Sequence, residues 1–465
     1  MHLFGRSQTV LMLVVLALGI PALGSDQTAL DRYVAAPDSS YAYHEVSSHP
    51  GVLCDTHILS MTSQTWKSEK IVDKPVWKHW LILHVPKGVQ QHVAMLVIGG
   101  GSNERPAPTA GDKGLDLAAV ATHSVIAELT GVPSEPLTFV GETRKRTEDA
   151  VIAYTWDQYL KTGDDTWPLR LPMTKSAVRA MDTVTAFMHT DAGGMFDINQ
   201  FVVAGASKRG WTTWTTAAVD KRVVAIVPIV IDTLNMEAQN GRQVAAYGDW
   251  SPAIKDYIDI DLPKWAGTPQ MHKLMLIEDP YYYRDRFTIP KYLINSTGDQ
   301  YFMPDNAQFY FKDLPGIKYL RYVPNTDHSL GRSDAAQSLL AFYGASLQHK
   351  KLPTFSWKNE GSDAIQVHVE DKPAEVKLWQ ATNPKARDFR LAVLGAKWTS
   401  TDLTADASGD YVGKVEAPTP GWTAFMVELT YDNGSLPPLK FTTQVRVTPD
   451  TYPFADKVNA KLASP

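Results

Sequence analysis

Apolar runs of strand length alternate with helical patterns between Trp80 and about Ser346, and this alternation limits the folds open to the chain. Mostly continuous apolar runs are typical of strands that are buried on both faces of a parallel sheet. The pattern therefore predicts a doubly wound, mostly parallel α/β domain. The predicted strands are WLILHVP (80–86), HVAMLVIGGG (92–101), FVVAGAS (201–207), RVVAIVPIVID (222–232), YLINSTGD (292–299) and GIKYLRYVP (316–324).

Two segments depart from this alternation. Residues 235–279 carry tryptophans, tyrosines and several prolines, and an insertion of this length between two strands predicts a cap over the carboxyl edge of the sheet. After Leu352, short alternating runs such as AIQVHVE, EVKLWQA, RDFRLAV, WTAFMVELTY and LKFTTQVRV are separated by turn signals. They predict an antiparallel, immunoglobulin-like β-sandwich over residues 353–465, following an α/β domain over 25–352.

The first 24 residues have the composition of an export signal. An apolar stretch from Val10 to Ile20 is too short to span a bilayer comfortably, and small residues at Ala22 and Gly24 precede an expected cleavage before Ser25. The sequence therefore predicts a protein that is exported to the periplasm or secreted, with no stable membrane insertion after cleavage.

Charge and cysteine content exclude several classes of function. The formal net charge of −5, with 45 basic and 50 acidic residues, gives no basic surface for nucleic acid. The one cysteine, Cys54, cannot form an intramolecular disulfide, and we expect it to be a small buried side chain. Zinc-binding motifs, a P-loop and a dinucleotide fingerprint are absent from the sequence, so we expect no metal and no cofactor. The oligomeric state is left open.

A glycine-flanked serine follows the predicted strand FVVAGAS. Gly205 and Gly210 surround Ser207, which is the arrangement of a nucleophile elbow, where a strained turn exposes a hydroxyl above the sheet. The next amide, that of Lys208, would then donate to an oxyanion at the start of a helix. Arg209 stands where the usual G-x-S-x-G pattern has its second glycine.

A serine nucleophile needs a base and an orienting carboxylate. Of the four histidines after Ser207, His328 lies in a loop between the last predicted strand and the last helix of the α/β domain, so we predict that it is the base. Asp299 ends a strand about 30 residues earlier and fits the chain order Ser, Asp, His. Asp232, at the end of the preceding strand, is the alternative acid.

The remaining candidate residues would hold the substrate. Gly99, Gly100 and Gly101 form a turn after an early strand, where an unhindered backbone amide could supply a second oxyanion donor. Arg209, Trp211 and Tyr281 are candidate substrate-binding residues, together with the aromatic residues Trp250, Tyr282 and Tyr283. Packing of these aromatic rings in the core is the alternative interpretation.

The chain resembles a known family in several longer phrases. GASKRG, STGDQYF and DHSLG are similar to motifs of α/β-hydrolases, and RTEDAVIAYTW, TWPLRLPMTKSAVRAMDTV and GASKRGWTTW resemble the PhoPQ-activated pathogenicity-related protein family. The resemblance runs from about Tyr33 to Pro449. It implies an exported protein with a hydrolase fold and a β-rich C-terminal part. It also implies a link to bacterial virulence and resistance to host peptides, with secreted signalling proteins among the eukaryotic relatives.

Three functions are compatible with this pattern. The first is a serine hydrolase that cleaves a small ester or peptide with Ser207, His328 and Asp299. The second is a secreted binding or signalling protein on a hydrolase scaffold that has lost catalysis, which the departure at Arg209 motivates. The third is a sugar-ester hydrolase that uses Lys208 or Arg209 to bind an acidic group of the substrate.

Overall fold

The computed structural model describes residues 27–348 and 350–463, so the predicted signal peptide lies outside the described residues. The strands are β1 (Ala42–His49), β2 (Cys54–Thr65), β3 (Val76–Pro86), β4 (Val93–Ile98), β5 (Ile126–Leu129), β6 (Gln200–Ala206), β7 (Val223–Ile229), β8 (Lys291–Ser296), β9 (Lys318–Val323), β10 (Phe355–Glu360), β11 (Ala364–Val369), β12 (Glu375–Asn383), β13 (Thr399–Asp402), β14 (Tyr411–Lys414), β15 (Trp422–Tyr431), β16 (Leu439–Thr442) and β17 (Arg446–Thr448). The α-helices are α1 (Ala29–Ala35), α2 (Lys113–Thr122), α3 (Asp149–Thr162), α4 (Arg170–Met188), α5 (Lys208–Val219), α6 (Arg242–Tyr247), α7 (Lys255–Ile258), α8 (Pro269–Glu278), α9 (Ala335–Leu347), α10 (Leu391–Leu394) and α11 (Val458–Ala463). Short 3-10 helices cover Met236–Gln239, Pro252–Ile254, Leu262–Trp265, Pro280–Arg286, Asn306–Phe309, Phe311–Asp313 and Ala455–Lys457.

One large mixed sheet runs through the molecule. Its strand order is β1-β2-β3-β5-β4-β6-β7-β8-β9-β16-β15-β12-β13, with β17 paired to β15. Neighbouring strands from β5 to β9 are parallel, whereas β1, β2 and β3 are antiparallel to their neighbours. The sheet is therefore mixed as a whole, with a parallel part from β5 to β9 that holds the strand preceding Ser207.

Helices cover both faces of the parallel strands. Phe201 and Val203 of β6 point into the core that α4 and α5 cover, while Val202 and Ala204 point into the core that α2 and α9 cover. Because successive residues of a strand face opposite sides, an apolar run without alternation can be buried only between two such layers. This arrangement is the doubly wound one that the sequence predicted.

The predicted cap segment consists of short helices between β7 and β8. Residues 236–278 form three 3-10 helices and α6, α7 and α8. Several prolines lie in the first turns of these helices, where the missing amide proton costs nothing. The segment contributes much of the wall of the cavity that contains Ser207.

The C-terminal strands do not form a separate sheet system. β10, β11 and β14 make a three-stranded sheet, but β16, β15, β12 and β13 extend the central sheet because β16 pairs with β9. The rings of Phe441 in β16 and Tyr319 in β9 stack with their centroids 4.1 Å apart. The C-terminal part thus shares both a sheet and a core with the α/β part, and its immunoglobulin-like topology stays a prediction.

One predicted C-terminal strand is wrong. The segment RDFRLAV forms a loop and the short helix α10 instead of a strand. In this segment Arg387 binds Asp305 at 2.8 Å and Arg390 pairs with Asp388.

The described residues give no membrane-spanning element. Between residues 27 and 463, position 349 apart, no helix has both the length and the apolar character needed to cross a bilayer.

Candidate active site

Ser207 lies at the sharp turn between β6 and α5. Its backbone has φ 57° and ψ −126°, a conformation that costs a residue with a Cβ about 1–3 kcal/mol. The turn is held because the Ser207 amide donates to the carbonyl of Ile229 in β7, at 2.8 Å. The partly exposed side chain lies in the wall of a cavity. The turn therefore presents the hydroxyl at the carboxyl edge of the sheet.

The two glycines around Ser207 allow the backbone of this turn to close on itself. A Cβ at Gly205 would lie 2.6 Å from the carbonyl oxygen of Arg209. A Cβ at Gly210 would lie 2.8 Å from the carbonyl oxygen of Gly205. Both distances are shorter than any real contact, so only glycine fits at these two positions.

Position 209 does not need a glycine, because the side chain of Arg209 points away from the turn. The guanidinium lies against Gly100, where a Cβ would be 2.3 Å from Nη2. Nε donates to the carbonyl of Val132 at 2.5 Å, and the two Nη atoms donate to the carboxylate of Glu148 at 2.8 and 2.9 Å. Arg209 was a predicted substrate-binding residue, but the structure places it beneath the turn and outside the residues that line the cavity.

The side chain of Lys208 is also held internally. Its Nζ lies 2.7 Å from Glu148 and 3.3 Å from Asp149. Burial opposes ionisation of Glu148, but the hydrogen bonds from Arg209 and the nearby positive charges outweigh it and lower the pKa of Glu148. The Lys208 amide begins α5, and the first amides of a helix have no partner within the helix. It is therefore the backbone of Lys208, and not its ammonium group, that suits an oxyanion.

His328 and Asp299 are hydrogen-bonded to each other. Nδ1 of His328 lies 2.7 Å from Oδ2 of Asp299, and both side chains are largely buried. The other carboxylate oxygen of Asp299 accepts from the amides of Tyr301 and Phe302, at 2.7 and 3.3 Å. These bonds fix the carboxylate and leave Nε2 of His328 as the ring nitrogen available for a proton from a nucleophile.

Asp232, the alternative acid, has other partners. The hydroxyls of Tyr310 and Tyr322 donate to its two oxygens at 2.5 and 2.6 Å. Burial raises the pKa of Asp232 to about 7 despite these bonds. The structure thus brings Asp299, and not Asp232, into contact with His328.

Ser207 and His328 lie at the same edge of the sheet without touching. Within the described part of the chain, Ser207 Oγ makes no hydrogen bond to the imidazole. Tyr301 and Phe302 line the cavity with Ser207. Their rings also lie 4.5 and 5.9 Å from the His328 ring, measured between centroids. The histidine therefore lies directly behind two residues of the cavity wall. A hydrogen bond between Ser207 and His328 is not required in the unbound protein, because catalytic hydrogen bonds often form only when a substrate is bound.

The glycine turn after β4 lies beside the Ser207 turn, with Gly100 in contact with Arg209. The amide of Gly99 donates to the carbonyl of Leu129 at 2.7 Å, so this amide is not available to an oxyanion. Gly101 has φ 117°, a conformation that favours glycine. Gly100 and Gly101 remain the candidates for a second oxyanion donor.

The cavity next to Ser207 has a volume of about 220 Å³. Aromatic rings form a large part of its wall, namely Trp156, Trp211, Trp250, Tyr257, Tyr301 and Phe302. The predicted Trp211 and Trp250 are therefore at the site. Tyr281 is outside it, because its hydroxyl donates to Asp313 at 2.8 Å, and Tyr282 and Tyr283 also lie outside the lining.

Glu148, Asp149 and Tyr257 belong to the site but were missed in the sequence. The signal that could have found them is the pair Lys208-Arg209 at the buried end of a strand, since buried cations require acidic partners. Among residues 27–348 and 350–463, no group of histidine, cysteine, aspartate and glutamate side chains could hold a metal ion.

Comparison with known proteins gives a sequence relative and, separately, solved structures with a similar fold. Autocrine proliferation repressor protein A of Dictyostelium discoideum is 38% identical over 472 residues, which is 95% of this chain and 94% of that protein. Acetyl xylan esterase 1 from a Thermoanaerobacterium species has 16% identity and a TM-score of 0.47, covering 69% of this chain and 91% of that one. A glucuronoyl esterase from Solibacter usitatus has 15% identity and a TM-score of 0.38, covering 68% and 91%.

The family model for the PhoPQ-activated pathogenicity-related protein matches residues 30–390. This range holds the Ser207 turn, the cap, and the Asp299–His328 pair. Together with the 38% identity to the Dictyostelium protein over nearly the whole chain, this match shows that the chain belongs to the PhoPQ-activated pathogenicity-related protein family.

Proposed function

We propose that this protein is a serine hydrolase that cleaves an ester or peptide bond of a small substrate. The observation that carries the proposal is the strained Ser207 turn, which opens into a cavity at the carboxyl edge of the sheet. The hydrogen-bonded His328–Asp299 pair lies at the same edge, behind the cavity residues Tyr301 and Phe302. Strain at a functional hydroxyl, with a base and an acid at the same edge, is the arrangement that acyl transfer needs.

The residues have the following roles in this mechanism. Ser207 Oγ attacks the carbonyl carbon while His328 Nε2 accepts its proton. Asp299 keeps the other ring proton on Nδ1 and stabilises the imidazolium that forms. The amide of Lys208 donates to the oxyanion, with Gly100 or Gly101 as a second donor, and each donor lowers the barrier by about 3 kcal/mol. His328 then returns the proton to the leaving group, and water releases the acyl group by the same steps.

Covalent labelling tests this proposal directly. Purified protein is treated with a fluorophosphonate, and the modified residue is identified by mass spectrometry. We expect one adduct on Ser207, which is lost in Ser207→Ala and in His328→Ala because the nucleophile or its base is gone. Circular dichroism confirms that both variants are folded. Unlabelled, folded wild-type protein would contradict the proposal.

We also propose that the protein is exported. The apolar stretch Val10–Ile20 and the small residues before Ser25 support this, as does the link to pathogenicity in the family's name. Fractionation of cells that express the full chain, followed by N-terminal sequencing, checks it. Protein retained in the cytoplasm with an intact N-terminus would contradict it.

A binding or signalling role is the second candidate. The Dictyostelium relative favours it, because that protein is called an autocrine proliferation repressor. Wild-type and Ser207→Ala proteins would then slow the proliferation of cultured Dictyostelium cells equally. An effect that requires Ser207 would instead join the signalling role to the hydrolase.

A further inference from the structure

The wall of the cavity beside Ser207 contains an unusual number of methionines. Met236, Met271, Met275 and Met303 all line it, in addition to the aromatic rings already described. Methionine side chains are unbranched and polarizable, and they adapt to apolar ligands of different shapes. This lining suits a flexible apolar group better than a polar or a rigid one.

Every charged side chain of this wall already has an ion-pair or hydrogen-bond partner. Lys208 binds Asp149 and Glu148, as described above. Arg242 binds Asp305 at 2.9 Å, and Glu237 accepts from His272 at 3.0 Å. A charged ligand would therefore lose its hydration without gaining an unpaired partner, which is unfavourable in a largely apolar cavity.

We infer that the site acts on esters whose acyl group is uncharged and apolar, of medium chain length, and that this group occupies the cavity. The inference rests on the proposed serine hydrolase. The acyl group stays attached to Ser207 while the leaving group departs and water enters, so the largely apolar cavity beside Ser207 suits the acyl part. This preference also makes an acidic sugar ester a poor substrate, because Lys208 and Arg209 are both bound to Glu148.

A series of p-nitrophenyl esters tests the inference. We expect kcat/KM for the octanoate to exceed that for the acetate at least about tenfold, because each buried methylene contributes about 0.8 kcal/mol. We also expect the hemisuccinate, which carries a carboxylate, to be cleaved at least about tenfold more slowly than the uncharged butyrate. Equal or faster cleavage of the acetate, or of the hemisuccinate, would overturn the inference.

Two neighbouring residues of α8 give a matched pair of variants. Met275 lines the cavity and is buried, whereas Leu276 is 41% exposed on the outer side of the same helix. Met275→Phe should reduce kcat/KM for the octanoate about tenfold and leave the acetate within about twofold, because the larger ring fills space that the longer chain needs. Leu276→Phe should change neither. Met271→Phe serves as a second cavity variant if Met275→Phe does not fold.

A binding measurement separates this inference from the hydrolase proposal. Octanamide and acetamide are titrated into Ser207→Ala, and the fluorescence of the cavity tryptophans is followed. Binding of octanamide without turnover of any ester by the wild type would contradict the hydrolase but leave the apolar preference standing. Turnover with no preference for the longer chain would contradict the preference and leave the hydrolase standing.

Discussion

Two residues of this molecule, Ser207 and Glu148, share one strained backbone conformation but differ in the residues and the space that surround them. Ser207 has φ 57° and ψ −126°, and Glu148 has φ 52° and ψ −126°. Each precedes the first residue of a helix, α5 and α3, and neither side chain caps its helix. Each amide is bound by a neighbouring segment, since that of Ser207 donates to Ile229 and that of Glu148 to the side chain of Glu135.

The surroundings of the two turns separate their roles. Ser207 has a cavity in front of it, and its hydroxyl is not used to hold the fold. The carboxylate of Glu148 binds Arg209 and Lys208, the two residues that follow Ser207. The pKa of the neighbouring Glu135 is raised by burial and by the charge of Glu148. Backbone strain alone therefore does not identify a nucleophile, because the strained residue Glu148 serves to bind Lys208 and Arg209, which follow Ser207.

The largest expected effect is the loss of activity in Ser207→Ala. If the hydroxyl is the nucleophile, kcat should fall by about 10⁵-fold or more while the fold is unchanged. Steady-state hydrolysis of p-nitrophenyl octanoate measures kcat, and thermal unfolding measures stability. Residual activity within tenfold of the wild type would place the nucleophile elsewhere and remove the distinction between the two turns.

The next effect distinguishes the two candidate acids near the Ser207 turn. Asp299→Asn should lower kcat about 10⁴-fold, because an amide cannot hold the imidazole in the correct tautomer. Asp232→Asn should leave kcat within a few fold, since Asp232 binds Tyr310 and Tyr322 instead. The reverse result in the same kinetic assay would assign the acid to Asp232.

Asp232 should also make stability depend on pH. Its pKa is about 7 in the folded protein and about 4 in an unfolded chain, so the folded state binds the proton more tightly. Its contribution is complete below pH 4 and is lost as pH rises to about 7. The difference in unfolding free energy between wild type and Asp232→Asn should therefore change by roughly 4 kcal/mol between pH 4 and pH 8, with the wild type losing stability. Urea unfolding at several pH values measures it, and parallel profiles would contradict it.

Sequence alone was enough to predict the parallel part of the sheet and several residues of the candidate site. Strands and glycines leave local signals, so the parallel sheet and the crowded backbone at Gly205 and Gly210 followed from residue type and spacing. The partnership of Glu148 with Arg209 spans 61 positions and has no local signal. The same holds for β16, whose pairing with β9 joins the C-terminal strands to the central sheet. Interactions between segments that are distant in the sequence could therefore not be predicted, because they have no local signal.

Glu148→Gln tests whether the second turn supports the first. The amide keeps one acceptor for Arg209 but removes a charge from a network in which Arg209 is almost fully buried. Because Glu148 itself is 43% exposed, we expect a loss of roughly 2 kcal/mol in unfolding free energy, less than for a fully buried pair. We also expect kcat to fall about tenfold, since Arg209 packs between the Ser207 turn and Gly100.

A control for Glu148→Gln comes from the same region of the chain. Glu142 makes a comparable two-pronged ion pair with Arg146, at 2.7 and 2.8 Å, away from the Ser207 turn. Glu142→Gln should cost less than about 1 kcal/mol, because Glu142 pairs with one cation whereas Glu148 pairs with two, and it should leave kcat unchanged. Equal loss of activity in both variants would show that Glu148 has no special connection to the nucleophile.

The smallest effect isolates the backbone strain that the two turns share. Replacing each residue by alanine and by glycine compares side chains that differ only in Cβ. Because φ is nearly the same at both positions, glycine should be more stable than alanine by roughly 1 kcal/mol at position 207 and at position 148 alike. Wild type and alanine should differ little at Ser207 but clearly at Glu148, whose carboxylate holds two cations. Urea midpoints at unchanged slope give these differences. If the glycine variant were more stable than the alanine variant at only one of the two positions, the two turns would not be equally strained. The same backbone geometry would then have a different free-energy cost at the two positions.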